Sequence, residues 1–360
     1  MKVYNFSAGP AMLPEEVMLK AQEEFCNYGD TFSGIMELSH RGPQFMDVLA
    51  TAKQNIRDLM NIGDDYEICF IQGGASMQFC MIPMNFLSKD KVADYADSGT
   101  WSAKAIKEAQ RFGNVNIVGS SKDTNYDRIP VPRHWKPTEN ASYLHITSNN
   151  TIAGTQYHTV PPIKDDVPMI ADMSSDFMSR VIDINDFGMV YGGAQKNLGP
   201  SGVALVIIRK DLAERANKDL PTMMKYTTYI EKDSMFNTPP TFAIYILKLV
   251  TDWMKSKGGL EVIEEINNTK SEALYELLDR SEFYRSPVSP GSRSKMNVVF
   301  RLPSEELEAK FVKDAAAEGM TGLKGHRSVG GIRASIYNAM PIAGVENLID
   351  FMIQFEKNNG

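Results

Sequence analysis

Seven short β-type runs, several of them apolar on consecutive residues and separated by helical patterns and turns, constrain this chain more than any other feature. They fall at 67–72, 91–96, 114–118, 143–147, 168–171, 189–192 and 203–208. The first, Glu-Ile-Cys-Phe-Ile-Gln, shows the type: apolar side chains follow one another instead of alternating with polar ones. A strand can be apolar on consecutive residues when both of its faces are covered, as in a parallel sheet between two helical layers. Helical patterns at 75–87 and 100–111 supply such layers. The expectation is an α/β fold, with a large domain whose mostly parallel seven-stranded sheet is flanked by helices.

The character changes after Pro240. A helical pattern covers 241–256, Gly258-Gly259 interrupts it, and a second long helix rich in Glu covers 260–279. Strand 296–301, helix 304–318, strand 331–336 and helix 344–356 then read as a smaller α+β C-terminal domain. The predicted division is 16–264 for the large domain and 265–360 for the small one, with residues 1–15 packing against the small domain. A chain of 360 residues is long enough for this arrangement.

Charge narrows the partners. Lys plus Arg number 38 and Asp plus Glu 45, a formal net charge of −7. A general nucleic-acid binder carries a basic surplus, so no nucleic acid is expected. Any anionic ligand must be caught by a local cation cluster. Residues 1–6 lack the apolar region of a signal peptide, and the apolar stretch 241–254 is too short for a bilayer and contains Lys248 and Asp252. Three cysteines, Cys26, Cys69 and Cys80, make no paired framework and show no metal-site spacing. These features predict a cytoplasmic protein with no membrane partner and no metal. The pairs Asp64-Asp65 and Asp165-Asp166 lie in turn-like settings without the spacing of a calcium loop.

Two residues stand at the ends of candidate strands. Asp172 closes the run at 168–171, and Lys196 follows the run at 189–192 through Gly193-Ala194-Gln195. Ligands of open α/β sheets bind at the carboxyl edge of the strands. An amine and a carboxylate projecting there suit pyridoxal phosphate, which needs a Lys for its carbonyl carbon and an acid for its pyridine nitrogen. Alone, each reads better as a surface Lys or a helix-capping Asp. Gln72-Gly73-Gly74-Ala75-Ser76 adds a strand–turn–helix whose free N–H groups suit a phosphate. Neither GxGxxG after a strand nor GxxxxGK[ST] occurs, so dinucleotide and P-loop readings fail. Trp101 opens the next helix, where a ring could stack on a flat heterocycle. His40-Arg41, His326-Arg327 and Arg333 form a cationic set suited to a dianionic substrate.

These segments, in this order, resemble the phosphoserine aminotransferases, fold-type I enzymes that use pyridoxal phosphate. The likeness runs from Asn5-Phe6-Ser7-Ala8-Gly9-Pro10 almost to the C-terminus. Its pieces are Ser39-His40-Arg41, Gly73-Gly74-Ala75-Ser76, Gly193-Ala194-Gln195-Lys196-Asn197, Asn237-Thr238-Pro239-Pro240-Thr241, and Gly331-Ile332-Arg333-Ala334-Ser335-Ile336-Tyr337-Asn338. After His40-Arg41 the chain continues Gly42-Pro43 where the family often has Ser or a charge, which stiffens the loop and leaves its charge unchanged.

The resemblance implies that Lys196 carries the cofactor and moves the substrate proton. It gives Asp172 to the pyridine nitrogen, Trp101 to the ring face, Thr151 to the ring hydroxyl, and Ala75, Ser76 and Gln195 to the cofactor phosphate. Asn237 and Thr238 would reach the cofactor of a neighbouring subunit, so a homodimer with shared sites is implied. Arg333 would take the substrate α-carboxylate. His40, Arg41, His326 and Arg327 would take the phosphate of phosphoserine or the γ-carboxylate of glutamate. The implied reaction is reversible transamination of phosphohydroxypyruvate with glutamate, giving phosphoserine and 2-oxoglutarate in serine biosynthesis. The same pocket would admit 4-phosphohydroxythreonine, a substrate of vitamin B6 synthesis. Two readings compete: another fold-type I aminotransferase of alanine–glyoxylate type, and an inactive scaffold of this fold that only binds. The dianion cluster speaks against the first, and Lys196 with Asp172 against the second. A cysteine desulfurase needs a nucleophilic Cys on a mobile loop, a setting none of the three cysteines has.

Overall fold

Consecutive residues of the apolar runs feed two different cores, which is why the runs do not alternate in hydropathy. The computed structural model describes residues 3–162 and 166–360. Asp165 of the Asp165-Asp166 pair, and the first two residues of the 1–15 segment, lie outside the described residues. Seven strands form the central sheet: β1 Tyr66–Ile71, β2 Val92–Asp97, β3 Asn114–Ser120, β4 Leu144–Thr147, β5 Met169–Asp172, β6 Met189–Gly193 and β7 Ala204–Arg209. Ile68 and Phe70 of β1 face one core, while Cys69 and Ile71 face the other. Leu205 and Ile207 of β7 divide from Val206 and Ile208 in the same way. The two-residue period of a strand does the sorting.

The strand order is β1-β7-β6-β5-β4-β2-β3. β7 runs antiparallel to both neighbours, and the remaining pairings within β6-β5-β4-β2-β3 are parallel. Six strands therefore share one direction and bring their carboxyl ends to one edge. Helices Pro43–Met60 and Thr241–Ser256 cover one face, and helices Gly74–Phe86 and Thr100–Ala109 cover the other. Among the described residues no helix is long and apolar enough to cross a membrane.

The C-terminal third builds a separate core. Strands Asn297–Phe300 and Ile332–Ser335 pair antiparallel, and helices Glu305–Ala317 and Ile342–Asn359 pack with them. Ser304 caps the first of these helices, its hydroxyl accepting from the Leu307 N–H at 3.3 Å. Tyr4 and Phe6 lie in this core, and Tyr4–Asn5 pairs in parallel with Met320–Thr321. Helix Leu260–Arg280 serves both cores. Its Leu260 and Ile263 belong to the large one, and its Leu274, Tyr275 and Leu278 to the small one. The boundary drawn at 264/265 thus falls inside one continuous helix, whose partners change along its length.

Candidate active site

The carboxyl edge of the sheet opens on a cavity of about 560 Å³. Asp172 is the last residue of β5 and sits in register between Thr147 of β4 and Tyr191 of β6. It is 4% exposed, and its Oδ1 accepts two bonds from Ser174, from the backbone N–H at 2.9 Å and the hydroxyl at 2.6 Å. Burial raises its pKa, against the Ser174 bonds and the charge of Lys196, which lower it.

Lys196 reaches the cavity floor from the turn after β6. Its Nζ donates to Thr151 Oγ1 at 2.8 Å. Burial pushes its ammonium down to about 8; Asp172 opposes that shift and the Arg333 guanidinium adds to it. Arg333 comes from the strand Ile332–Ser335, opposite Val299, and its Nη1 donates to the Thr151 carbonyl at 3.1 Å. Thr151 therefore touches both cations through different atoms.

The turn after β1 supplies the third wall. Gly73 holds φ +87°, and a Cβ there would lie 2.7 Å from Met77 Cβ, so the helix Gly74–Phe86 can begin this abruptly only from glycine. Gly74, Ala75 and Ser76, the first residues of that helix, line the cavity, and the positive end of a helix with its free N–H groups suits an anion. Trp101, in the first turn of Thr100–Ala109, lines the cavity, with Lys196 Nζ 5.9 Å and Lys104 Nζ 4.3 Å from its ring centroid. His326 stands at the rim, its Nδ1 facing the Ser328 hydroxyl at 2.7 Å; burial and the neighbouring Arg333, Arg327 and Lys104 lower its pKa.

The structure brings Ala75, Ser76, Trp101, Thr151, Asp172, Gln195, Lys196, His326 and Arg333 to one cavity. His40, Arg41, Arg327, Asn237 and Thr238 lie outside its walls; of these His40 is half-buried and the other four are exposed. Several wall residues carry no expectation from sequence: Ser174, Thr147, Asn149 and the Ala8-Gly9-Pro10 segment. The last lies in a resemblance motif and could have been assigned; the others are isolated polar residues with no spacing to betray them.

The walls suit pyridoxal phosphate. Buried polar atoms without a protein partner cluster here: Trp101 Nε1, Thr147 Oγ1 and Arg333 Nε. Such atoms cost free energy unless a ligand or water satisfies them. An acid, an amine and a helix N-terminus on one wall set match the cofactor's nitrogen, carbonyl carbon and phosphate.

Comparison with known proteins points the same way. The model of the class-V aminotransferase family matches residues 3–348. A phosphoserine aminotransferase of Desulfotalea psychrophila is 51% identical over 358 residues, covering 99% of each chain. The solved phosphoserine aminotransferase from Bacillus circulans subsp. alkalophilus superposes with a TM-score of 0.98 at 49% identity, over 100% of this chain and 99% of that one. The phosphoserine aminotransferase of Trichomonas vaginalis, solved with pyridoxal phosphate bound, gives 0.94 at 37% identity, over 98% of this chain and 100% of that one.

Proposed function

The chain belongs to the class-V aminotransferases, and within them to the phosphoserine aminotransferases; from that premise we propose the assignment of its residues to the reaction. It is a pyridoxal-phosphate enzyme that transfers the amino group between phosphoserine and 2-oxoglutarate, forming phosphohydroxypyruvate and glutamate. The observation that carries the residue roles is the meeting of Lys196, Asp172 and Arg333, from two cores, in one cavity.

Asp172 would hold the cofactor nitrogen, Thr151 its hydroxyl, Trp101 its ring face, and Ala75, Ser76 and Gln195 its phosphate. Once bound, the cofactor supplies the electron sink that stabilises the carbanion at the substrate Cα. Lys196, as free amine, removes the Cα proton and returns it on the other side of the exchange. Arg333 fixes the α-carboxylate, and so the direction in which the Cα–H bond points. His326 receives the distal anion, with Arg327 and the His40-Arg41 pair completing that pocket.

We extend the reading to a homodimer. His40, Arg41, Asn237 and Thr238 stand outside the cavity of their own chain, and Phe236, next to Asn237 in sequence, is 44% exposed, with Phe25 and Met18 exposed as well. Light scattering should give twice the 40.2 kDa of one chain, and a monomer would remove this part of the proposal. The cytoplasm is the proposed compartment, since its reducing poise suits three free cysteines. The division at 264/265 is part of the same reading, with helix Leu260–Arg280 as the joint between the two bodies.

The test separates the half-reactions. Phosphoserine alone, or glutamate alone, should change the visible band of the bound cofactor and release one equivalent of oxoacid. Arg333→Ala should slow both half-reactions by about 10²-fold, because both donors present an α-carboxylate and a charge-assisted pair contributes about 1.5–3 kcal/mol. A defect confined to one donor would take Arg333 away from the α-carboxylate.

A further inference from the structure

Lys270 is a buried cation that none of these roles uses. It lies in helix Leu260–Arg280 and is 1% exposed. Burial lowers its pKa to about 7, and no carboxylate offsets that shift. A buried amine without an acid partner is costly, so its surroundings must satisfy it closely. They do: Nζ donates to three carbonyls, Ile336 at 3.0 Å, Tyr337 at 2.8 Å and Met340 at 3.0 Å. All three belong to the turn that follows the strand Ile332–Ser335, which carries Arg333.

That turn is also tied to the Lys196 segment. The Asn338 N–H donates to Asn197 Oδ1 at 3.0 Å, and Asn197 is the residue after Lys196. Asn338 Nδ2 donates to the Met178 carbonyl, and its Oδ1 accepts from Asn267 Nδ2, both at 2.8 Å. Asn267 lies three residues before Lys270 on the same helix and also donates to the Ser179 carbonyl at 2.9 Å. Tyr337 OH donates to the Ala8 carbonyl at 2.8 Å, at the cavity wall. One helix thus holds the turn by Lys270 and the large domain by Asn267, and the turn joins the Arg333 strand to the Lys196 loop.

We infer that Lys270 is a positioning residue for the transamination: by gathering three carbonyls of the 336–340 turn it fixes Arg333 relative to Lys196, and so sets where the substrate Cα sits beneath the amine. The inference rests on the reaction proposed above. Misplacement by about 1 Å, far from the chemistry, can cost about 10²-fold in rate, so a clamp at this joint reaches the active site without touching substrate.

The test uses holoenzyme. Lys270→Met keeps the apolar stem and removes the three donors. Single-turnover kcat/KM should fall about tenfold or more in both half-reactions, with full cofactor content and at a temperature well below unfolding. Asn338→Ala attacks the same turn from the other side. It should give a similar loss, and the double variant should fall short of the product of the two, because coupled sites are not additive. If Lys270→Met lowers only the melting temperature and leaves both half-reactions at the wild-type rate, the inference is overturned. Should Lys270→Met not fold, unchanged half-reactions in Asn338→Ala overturn it equally. Wild type without turnover on phosphoserine would sink the reaction and this inference together; active wild type with unaltered variants sinks this one alone.

Discussion

Lys196→Ala should lose at least about 10³-fold in turnover while the protein still folds, since a positioned proton carrier alone contributes about 10²–10⁴-fold. The side chain does two things that Ala cannot. In the roles proposed above, it offers a nucleophilic amine to the cofactor and carries the Cα proton. Its environment prepares both. At the ordinary lysine value, nearly every copy would be protonated at neutral pH; burial brings that value down to about 8. The sign of the pH effect follows. Below about 8 the amine is increasingly the inert ammonium, and above it the free base dominates. Cofactor capture by protein stripped of cofactor should therefore quicken as pH rises towards 8 and level off beyond it. Stopped-flow absorbance measures the capture, and a coupled glutamate assay the turnover. Lys196→Ala retaining more than a tenth of wild-type turnover would take the proton away from this residue.

How much of this could be read from the sequence depends on whether a feature is local. The inner strands are legible because covering both faces leaves a continuous apolar run, and Asp172 and Lys196 are legible because one closes such a run and the other follows one within a few residues. The direction of β7 is not: a strand covered on both faces reads alike whether its neighbours run parallel or antiparallel. Gly73-Gly74 marks its turn locally, through a φ that only glycine takes easily. Ser174 and Thr147 become cavity walls only when the strands Leu144–Thr147 and Met169–Asp172 are laid side by side. Lys270 is the clearest case. In a Glu-rich helix one more charged residue looks solvated, and only the fold reveals three carbonyls around its amine. The boundary at 264/265 is read from the strand–helix–strand–helix unit that follows it, whereas the helix Leu260–Arg280 passes through that point unbroken and changes only what it touches.

Asp172→Asn should cut turnover by about 10²–10³-fold, the rate equivalent of roughly 3–4 kcal/mol for removing one partner of a buried charge pair. Asn has the same shape, and its Oδ1 can still accept from the Ser174 N–H and hydroxyl, so the local geometry should survive. What disappears is the negative charge. In the protein without cofactor that charge is a burden. Burial raises the Asp172 pKa above the ordinary carboxyl value, so the native state holds its proton more tightly than the unfolded chain does. Stability from this group is then greatest at low pH and falls as pH climbs from the ordinary carboxyl value through the raised one, because ionising a buried carboxyl is unfavourable. At neutral pH, Asp172→Asn should therefore melt no lower than wild type when both lack cofactor, and lower than wild type when both are loaded. Calorimetry on the two forms gives both comparisons. A variant less stable in both states by the same amount would make Asp172 a structural acid. A crossing of the two curves, with turnover lost, would mark a residue kept at a cost to the fold because the cofactor's nitrogen needs it.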